Sequence, residues 1–230
     1  MGPSFECPIC GYIGAFASVK TKSGSRKFAV CLNCNAMERH RLQKLAFDKV
    51  TGELDLNNLD FLHISPEPCH REMLHGIGNY VTADLQMPDV DYHFDLQERA
   101  PFPDGLFDIV FASHVLEHIL DDNHAIAEIR RIIKPGGFAI LPVPIVSEAT
   151  IDYGESNAFE TGHVRAPGYD YFDRYRKHFD RVNEITSESF PEKYQLYLYE
   201  DRSIYPTSES PLRKPMPGVK HKDIVPICYV

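Results

Sequence analysis

The chain has 230 residues, of which 43% are hydrophobic and 25% are charged, and this is the composition of an ordinary globular protein. Its length suffices for one large domain and a small one. No run approaches the roughly 18 consecutive apolar residues of a membrane-spanning helix. The segment Met1 to Cys7 also lacks the basic and apolar regions of a secretory signal. We therefore expect a cytoplasmic protein without a membrane span.

The formal net charge of −9 is unevenly distributed. Residues 1–46 contain seven Lys and Arg against two acids, a balance of +5, so the remaining residues carry −14. An acidic body disfavours extensive nucleic-acid binding, because phosphate contacts need a cationic surface. The basic N-terminal segment leaves two interpretations open, which are a solvated surface and a local contact with RNA or phosphate.

Four of the six cysteines form two C-x-x-C pairs. The four are Cys7, Cys10, Cys31 and Cys34. A C-x-x-C turn points two thiolates at one ion, and two such turns complete a tetrahedral zinc site with four sulfur ligands. The alternative is a pair of disulfides, which a cytoplasmic setting disfavours. Because four cysteines close the coordination sphere, we predict a structural zinc ion that does not take part in catalysis.

The sequence around these cysteines predicts a zinc ribbon over residues 1–36. Two short apolar runs indicate strands that are joined by a hairpin turn at Ser23–Ser25. Gly11 follows the first cysteine pair, where a tight turn favours glycine. Cys69 and Cys228 stand apart from the pairs, and we expect them to be buried or unreactive thiols.

After the ribbon, apolar residues at helical spacing predict a helix over 36–50, within a linking segment of residues 37–58. From residue 59 onward, predicted strands and helices alternate. The strands are expected at 59–64, 79–84, 90–95, 107–113 and 138–143, with helices at 68–76 and from the end of the fourth strand to Lys134. This alternation predicts a doubly wound α/β domain over residues 59–230, with a parallel sheet and helices on both faces.

Beyond residue 144 the pattern is weaker. The expected elements are a loop or short helical insertion (145–166), a helix (169–178) and two strands (194–199 and 224–230). Residues 201–223 contain four prolines and are interpreted as a long loop or a lid.

Polar side chains follow several of the predicted strands. In an open α/β sheet, ligands bind at the carboxyl ends of the strands, near the switch in strand order. We therefore expect the ligand site among the residues at these ends. They are Ser65, Pro66, Glu67, Pro68, Asp84, Leu85, Asp95, Leu96, Gln97, Ser113 and His114.

A long run in the middle of the chain carries a specific resemblance. It consists of Pro101–His118 (PFPDGLFDIVFASHVLEH), Asp121–Asp122 and Ala127–Gly137 (AEIRRIIKPGG). This run resembles the class I S-adenosylmethionine-dependent methyltransferases, most closely their type 11 branch, and the resemblance extends over residues 60–145. It implies a Rossmann-like, mostly parallel seven-stranded sheet, S-adenosylmethionine as the cofactor and methyl transfer as the reaction.

The resemblance also implies roles for residues at the strand ends. Asp84 would accept hydrogen bonds from both ribose hydroxyls. Asp95 would accept the adenine amino group, while the backbone N–H of Leu96 meets a ring nitrogen. The further expected cofactor contacts are Leu85, Ser113 and His114. The competing interpretation of each aspartate is a turn or helix-cap residue.

One feature of the family is missing from this chain. The segment His63–Cys69, after the first strand of the domain, has no glycine where the family has a glycine-rich loop. Pro66 and Pro68 fix φ and remove N–H donors there. The methionine part of the cofactor is therefore expected to meet the hydroxyl of Ser65 and the carboxylate of Glu67. This departure leaves a degenerate domain that does not bind the cofactor as an alternative.

A base assists methyl transfer when the acceptor is a hydroxyl or an amine, and histidine has a suitable pKa. His163 and His118 are the candidate catalytic residues, although His118, like His114, is also interpreted as a framework residue. Arg165 is interpreted either as a surface residue or as a contact to an anionic substrate. A divalent metal ion at His114, Glu117 and His118 is a further alternative.

Three functions follow as hypotheses. The first is a methyltransferase that acts on a small molecule, by in-line displacement to an oxygen or nitrogen acceptor. The second is an RNA methyltransferase that contacts phosphates through the basic ribbon, which has few aromatic residues for base stacking. The third is a non-catalytic binding module with a degenerate methyltransferase fold. The sequence does not identify the acceptor or the oligomeric state.

Overall fold

The computed structural model describes residues 2–21, 24–74 and 76–230. The chain divides into two compact units. The first comprises Met1–Leu54, Pro68–Met73 and Ile185–Val225, and the second comprises Asp55–Glu67, Leu74–Glu184 and Pro226–Val230. No helix in the described part of the chain is long and apolar enough to cross a membrane.

The elements are short in the first unit and longer in the second. In chain order the strands are β1 (Phe5–Glu6), β2 (Ile13–Gly14), β3 (Ala17–Thr21), β4 (Gly24–Val30), β5 (Asp60–Ile64), β6 (Asn79–Asp84), β7 (Tyr92–His93), β8 (Phe107–Ala112), β9 (Ile133–Ile140), β10 (Ile151–Asn157), β11 (His163–Ala166), β12 (Arg181–Thr186), β13 (Leu198–Tyr199), β14 (Lys220–His221) and β15 (Ile224–Tyr229). The α-helices are α1 (Glu38–Thr51), α2 (Pro68–Leu74), α3 (Asp122–Ile132) and α4 (Phe172–Tyr175). The 3₁₀-helices are Leu56–Asn58, Leu116–His118, Ala158–Glu160, Ser187–Ser189 and Glu192–Tyr194.

The first unit is built from antiparallel strands near the cysteines. β1 pairs with β2, and a four-stranded sheet has the order β14-β13-β4-β3. Exposed and partly buried residues alternate in β4 from Ser25 to Phe28, and Ala29 near its end is fully buried. Ser23 in the predicted hairpin turn and His75 in the predicted helix 68–76 lie outside the described residues.

Helix α1 begins two residues after the predicted start. Its first residue, Glu38, is fully buried and accepts hydrogen bonds from Arg26 Nε and Nη2, each at 3.0 Å. A buried carboxylate is tolerated when it is paired in this bidentate geometry. The ion pair therefore attaches the start of α1 to strand β4.

The second unit contains a seven-stranded sheet in the order β12-β15-β9-β8-β5-β6-β7. The pairs β5–β6, β5–β8, β6–β7 and β8–β9 are parallel, while β15 is antiparallel to β9. The central strands β5 and β8 consist largely of buried apolar residues, as expected for strands covered on both faces. The predicted mostly parallel, seven-stranded α/β sheet is confirmed.

The prediction of one continuous helix between β8 and Lys134 was wrong. The structure places a 3₁₀-helix at Leu116–His118 and starts α3 at Asp122. Asp121 accounts for the break, because its carboxylate accepts a hydrogen bond from the backbone N–H of His124 and caps the new helix. The strand predicted at 90–95 is also shorter, since β7 covers two residues.

The glycine pair Gly136–Gly137 lies inside β9, in an irregularity of its pairing with β8. Gly136 has φ of +84°, which favours glycine. A Cβ on Gly137 would stand 2.5 Å from the carbonyl oxygen of Asp108. Both glycines are therefore required by the sheet, and the predicted separate turn before the fifth strand is a bulge within a longer strand.

The prediction for residues 145–166 was wrong, because they contain the antiparallel hairpin β10–β11. β10 alternates between exposed and partly exposed residues and includes Gly154, so its apolar pattern is too weak to indicate a strand. The predicted helix at 169–178 is reduced to α4, and β12 was not predicted. Residues 201–223 form a mostly irregular segment with the strand β14 and buried side chains.

Candidate functional site

A cavity of about 220 Å³ opens in the second unit at the carboxyl ends of β5 and β6. This is the edge of the sheet at which the sequence predicts ligand binding. The lining residues are Ile64, Ser65, Asp84, Leu85, Phe94, Asp95, Leu96, Gln97, His114, Val115, His118 and Ile119.

The structure brings six of the eight predicted cofactor residues to this cavity. The six are Ser65, Asp84, Leu85, Asp95, Leu96 and His114. Ser113 is buried below the lining, and Glu67 is not among the lining residues. The cavity wall therefore contains carboxylates from two strand ends, those of Asp84 and Asp95. Glu67 does not line the cavity, so its predicted contact with the cofactor is not supported there.

Asp84, at the end of β6, is held by its own turn. Its Oδ1 accepts hydrogen bonds from the backbone N–H of Gln86 at 2.7 Å and of Met87 at 2.8 Å. Burial raises the pKa of Asp84, but these bonds and one from the Ser65 hydroxyl outweigh burial and hold the pKa below its usual value. Asp84 is consequently an oriented anion at the cavity wall.

Asp95 has the same local geometry, because its Oδ1 accepts a hydrogen bond from the backbone N–H of Gln97 at 2.8 Å. The turn interpretation of both aspartates is thus observed. It does not compete with ligand binding, since a carboxylate has two oxygens and about four acceptor positions. In each residue the turn fixes one oxygen and thereby orients the other.

The loop after β5 reaches its shape without glycine. Ser65 has φ of +53°, and its backbone N–H donates to the carbonyl of Ala83 at 2.7 Å. His114, after β8, has φ of +57°. Positive φ is uncommon outside glycine and concentrates at functional sites. Ser65 and His114 both line the cavity. Each adopts the backbone conformation that glycine takes most easily.

Beside the cavity, a buried carboxylate stands among three histidines. Glu117 is fully buried, with His114 Nδ1 at 3.4 Å and His118 Nε2 at 4.0 Å from its Oε1. The rings of His118 and His163 meet edge to face, with centroids 4.8 Å apart. The two predicted catalytic histidines are therefore neighbours, and their catalytic role stays a prediction.

The electrostatics of this cluster favour an ionised Glu117 and a neutral His163. Burial raises the pKa of Glu117, but the imidazoles of His114, His163 and His118 outweigh burial, and the pKa lies below its usual value. Burial lowers the pKa of His163 more than the charge of Glu117 raises it. At neutral pH, His163 therefore presents a nitrogen lone pair rather than a second N–H.

Arg165 is not the surface residue that the sequence suggested, because its guanidinium is buried and bonded to internal partners. Its side chain is 3% exposed, and its guanidinium donates to three backbone carbonyls at 2.5–3.0 Å. These carbonyls belong to Leu116, Ile119 and Leu120, and Arg165 Nε also donates to Asp152 at 2.9 Å. Arg165 thus ties strand β11 to the turn that carries Glu117 and His118, a role with no local sequence signal.

In the first unit, the four predicted cysteines converge. Cys7 Sγ lies 3.6 Å from Cys34 Sγ, and Cys10 Sγ lies 3.7 Å from Cys31 Sγ. None of the cysteines in the described chain forms a disulfide. Four sulfurs around one zinc ion, with bonds of about 2.3 Å, are separated by about 3.8 Å. The spacing of the sulfurs therefore fits a tetrahedral metal ion.

The two cysteine pairs sit in equivalent turns. Gly11 N donates to Cys7 O and Asn35 N donates to Cys31 O, at 2.9 and 3.0 Å. Gly11 has φ of +73° and Asn35 has φ of +59°. Asparagine tolerates this conformation better than most residues, so it can follow the second pair where glycine follows the first. Burial opposes ionisation of Cys10, yet hydrogen bonds led by Asn33 lower its thiol pKa to about 7.

Several residues of the basic N-terminal segment, residues 1–46, are committed to internal contacts. Arg41 is fully buried and donates to the carbonyls of Ala29, Ala36, Tyr194 and Gln195. The ribbon aromatics Phe5, Tyr12, Phe16 and Phe28 pack around the cysteines. The count of positive charges in this segment therefore overstates its cationic surface, and its aromatic rings are not displayed as a platform.

The two remaining cysteines differ in environment. Cys69 is partly buried and packs against the core that surrounds the four-cysteine cluster. Cys228 is fully buried in the second unit, and burial raises the pKa of its thiol well above the usual value. The expectation of a buried thiol is confirmed for Cys228.

Comparisons with known proteins agree with this architecture. Residues 70–141 match a family model described as a methyltransferase domain. The ubiquinone/menaquinone biosynthesis C-methyltransferase UbiE of Pseudoalteromonas translucida is 31% identical over 91 residues, which are 40% of this chain and 34% of that protein. The ubiquinone biosynthesis O-methyltransferase of Pectobacterium atrosepticum is 30% identical over 83 residues, covering 36% of this chain and 31% of that protein. The chain spans about a third of the length of these curated relatives.

Among solved structures, the CurJ carbon methyltransferase resembles this chain with a TM-score of 0.53 at 10% sequence identity. The alignment covers 84% of this chain and 55% of that one. At this identity the likeness concerns the fold.

Proposed function

We propose that this chain, which contains a class I methyltransferase domain, transfers the methyl group of S-adenosylmethionine to a small-molecule acceptor. The observation that carries the proposal is the cavity at the strand ends, where Asp84 and Asp95 face the same space. Each carboxylate is oriented by backbone N–H groups of its own turn. Two oriented acceptors on neighbouring strands are what a nucleoside needs for its ribose hydroxyls and its base.

Within this cavity, Asp84 binds the ribose hydroxyls and Asp95 binds the adenine amino group. The backbone of Leu96, which is buried next to Asp95, meets the adenine ring. Ser65 faces the methionine part from the loop after β5, where its φ of +53° turns the chain along the cavity wall. S-adenosylmethionine supplies an activated sulfonium methyl group, so the protein mainly has to orient the acceptor in line with the S–CH3 bond.

The acceptor is proposed to be an oxygen or a nitrogen atom. His118 lines the cavity and touches His163, which is neutral and can take a proton from a hydroxyl or an amine. Carbon is the competing acceptor atom, because one relative is named a C-methyltransferase and another an O-methyltransferase.

An RNA substrate is disfavoured by the ribbon itself. Arg26 and Arg41 are engaged with Glu38 and with backbone carbonyls, and the aromatic rings pack inward. The remaining function of the ribbon is structural, with zinc at the four cysteines, whose sulfur separations support that metal. A salt-dependent shift of single-stranded RNA in a gel would revive the RNA hypothesis, whereas no shift at low salt would end it.

The proposed activity is tested with cofactor carrying a 13C-labelled methyl group and a panel of small hydroxylated, amine and carbon-acid acceptors. Transfer gives a labelled product whose carbon chemical shift separates O–CH3, N–CH3 and C–CH3. A labelled oxygen or nitrogen product supports the full proposal, and a carbon product corrects the acceptor atom. If the protein gives no binding heat with S-adenosylmethionine or S-adenosylhomocysteine, the non-catalytic module replaces it.

A further inference from the structure

Glu117, His118 and His163 form a second cluster of potential metal ligands in the described chain, separate from the cysteines. One ligand atom from each residue lies within 4.8 Å of the others. Ligands on one ion, with bonds of about 2.1 Å, lie about 3 to 4.2 Å apart. Small side-chain rotations therefore suffice to bring these three atoms onto a common cation.

The carboxylate of Glu117 supplies an independent argument. It is fully buried, and neither of its oxygens has a hydrogen-bond partner within the residues that the structure describes. Buried carboxylates are normally paired, hydrogen-bonded or bound to a metal ion, because an unsatisfied buried charge is costly.

The surrounding backbone holds this cluster in place. Glu117 and His118 lie on the 3₁₀-helix, and His163 begins β11. Arg165 joins these two elements through its bonds to the carbonyls of Leu116 and Ile119. Gly162 has φ of +90° and lies against His118. A Cβ added to Gly162 would stand 3.7 Å from Nδ1 of His118. The three side chains are thus positioned by tertiary contacts rather than by one flexible loop.

We propose that Glu117, His118 and His163 bind a divalent first-row transition-metal ion at the edge of the cofactor cavity. Two imidazoles and one carboxylate are a known ligand set for such ions, and this set leaves coordination positions open. His118 lines the cavity, so the open positions face it. His114, whose Nδ1 lies 3.4 Å from Glu117 Oε1, is not part of this set. The set therefore differs from the alternative considered from the sequence, because His163 takes the place of His114.

This site would select the acceptor, a consequence that rests on the proposed function. In this form of the mechanism His163 acts as a ligand, and the cation replaces it as the group that promotes deprotonation of the acceptor. An acceptor hydroxyl bound to the cation loses its proton to water more easily, because the cation stabilises the oxyanion. The oxyanion then forms the O–CH3 bond as the S–CH3 bond breaks, and S-adenosylhomocysteine leaves. The acceptor class is therefore an oxygen nucleophile with room for metal contact, such as a phenol or a hydroxy acid.

The test is a titration with Mn2+, followed by electron paramagnetic resonance of the free ion, on protein whose cysteine site retains zinc. Mn2+ prefers oxygen and nitrogen donors and does not compete for four thiolates. One bound Mn2+ per chain is expected for the wild type and for the control His178→Asn, whose imidazole contacts Asn123. His163→Asn, His118→Asn and Glu117→Gln should each weaken binding at least about 10-fold, as loss of a direct ligand exceeds that of an outer-shell partner.

Circular dichroism and thermal unfolding show whether each variant is folded, and a folded variant that does not bind Mn2+ supports the site. Equal Mn2+ binding by the wild type and all three folded variants would overturn the proposal. So would a wild type that binds neither Mn2+ nor Co2+. Because Mn2+ binding needs neither cofactor nor acceptor, this result is independent of whether methyl transfer is observed.

Discussion

The four-cysteine cluster and the cluster of Glu117, His118 and His163 gather potential metal ligands in opposite ways. Each cysteine pair is made by one local turn, and the four sulfurs lie within 4.8 Å of one another, with two separations of 3.6 and 3.7 Å. The second cluster joins a 3₁₀-helix to a distant hairpin and borders a cavity. Local spacing therefore reveals a closed site, whereas an open site depends on tertiary contacts that sequence spacing does not contain.

The largest expected effect concerns the closed site, which is the four-cysteine cluster. Cys31→Ser removes one of four thiolates, and structural zinc contributes about 10–16 kcal/mol in isolated zinc-finger peptides. We expect loss of zinc and loss of amide protection in β3, β4 and the start of α1. Elemental analysis and hydrogen exchange measure both effects. The control Cys69→Ser should retain zinc, and a Cys31→Ser protein with full zinc and unchanged exchange would contradict a structural metal.

Arg165→Met tests how the open cluster is supported. The substitution leaves the carbonyls of Leu116, Ile119 and Leu120 without their donor and Asp152 without one partner. Leaving a buried acceptor without its donor costs about 1–3 kcal/mol, and Arg165 serves more than one such carbonyl. Urea unfolding should show this loss. Arg176→Gln, at a half-exposed site, should change stability by less than about 0.5 kcal/mol. Equal stability of the two variants would refute the role given to Arg165.

Chelation separates the two clusters by accessibility. Protein loaded with zinc and Mn2+ is mixed with excess EDTA, and both ions are followed with time. Mn2+ should leave rapidly, because its open positions exchange water, while zinc should leave slowly, because Cys7 and Cys31 are fully buried. Simultaneous release of both ions would show that the sites do not differ in the way the structure indicates.

The smallest expected effect is a change in how the free energy of unfolding depends on pH under acidic conditions. Burial raises the pKa of Asp152, but ion pairs with Arg174 and Arg165 outweigh burial and hold the pKa below its usual value. A depressed folded-state pKa contributes stability above the unfolded value near 4, and this contribution is lost as the pH falls through the folded value. Asp152→Asn should therefore flatten the stability curve below pH 4 and cost less than about 1 kcal/mol at pH 7, since Asp152 is half exposed. An unchanged stability curve below pH 4 would contradict this assignment.

The sequence predicted those parts of the fold that depend on local or periodic patterns. β6 covers the predicted residues 79–84, and α1 and β8 differ from prediction by a residue or two. The hairpin β10–β11 escaped prediction because most residues of β10 are exposed, and because β11 is only four residues long. β12 escaped because it is an edge strand of the sheet, which needs less apolar character.

The candidate site likewise contains residues that the sequence could predict and residues that it could not. Asp84 and Asp95 were predictable because an acid directly after a strand must lie at the edge of the sheet. Arg165 and the pairing of Glu117 with His163 were not predictable, because their partners lie far apart along the chain. The missing glycine after β5 was visible in the sequence, but its replacement by Ser65 at positive φ could be observed only in the backbone.

The central claim is that the strand-end cavity binds the cofactor through Asp84, and calorimetry with S-adenosylhomocysteine tests it most directly. Wild type should bind one ligand per chain. Asp84→Asn preserves the turn acceptor but removes the charge, so affinity should fall about 10- to 100-fold, corresponding to the 1.5–3 kcal/mol of a hydrogen bond to a charged group. The control Asp180→Asn, at an exposed carboxylate, should bind like wild type. Wild-type protein that gives no heat, or an Asp84→Asn variant that binds equally well, would contradict the account.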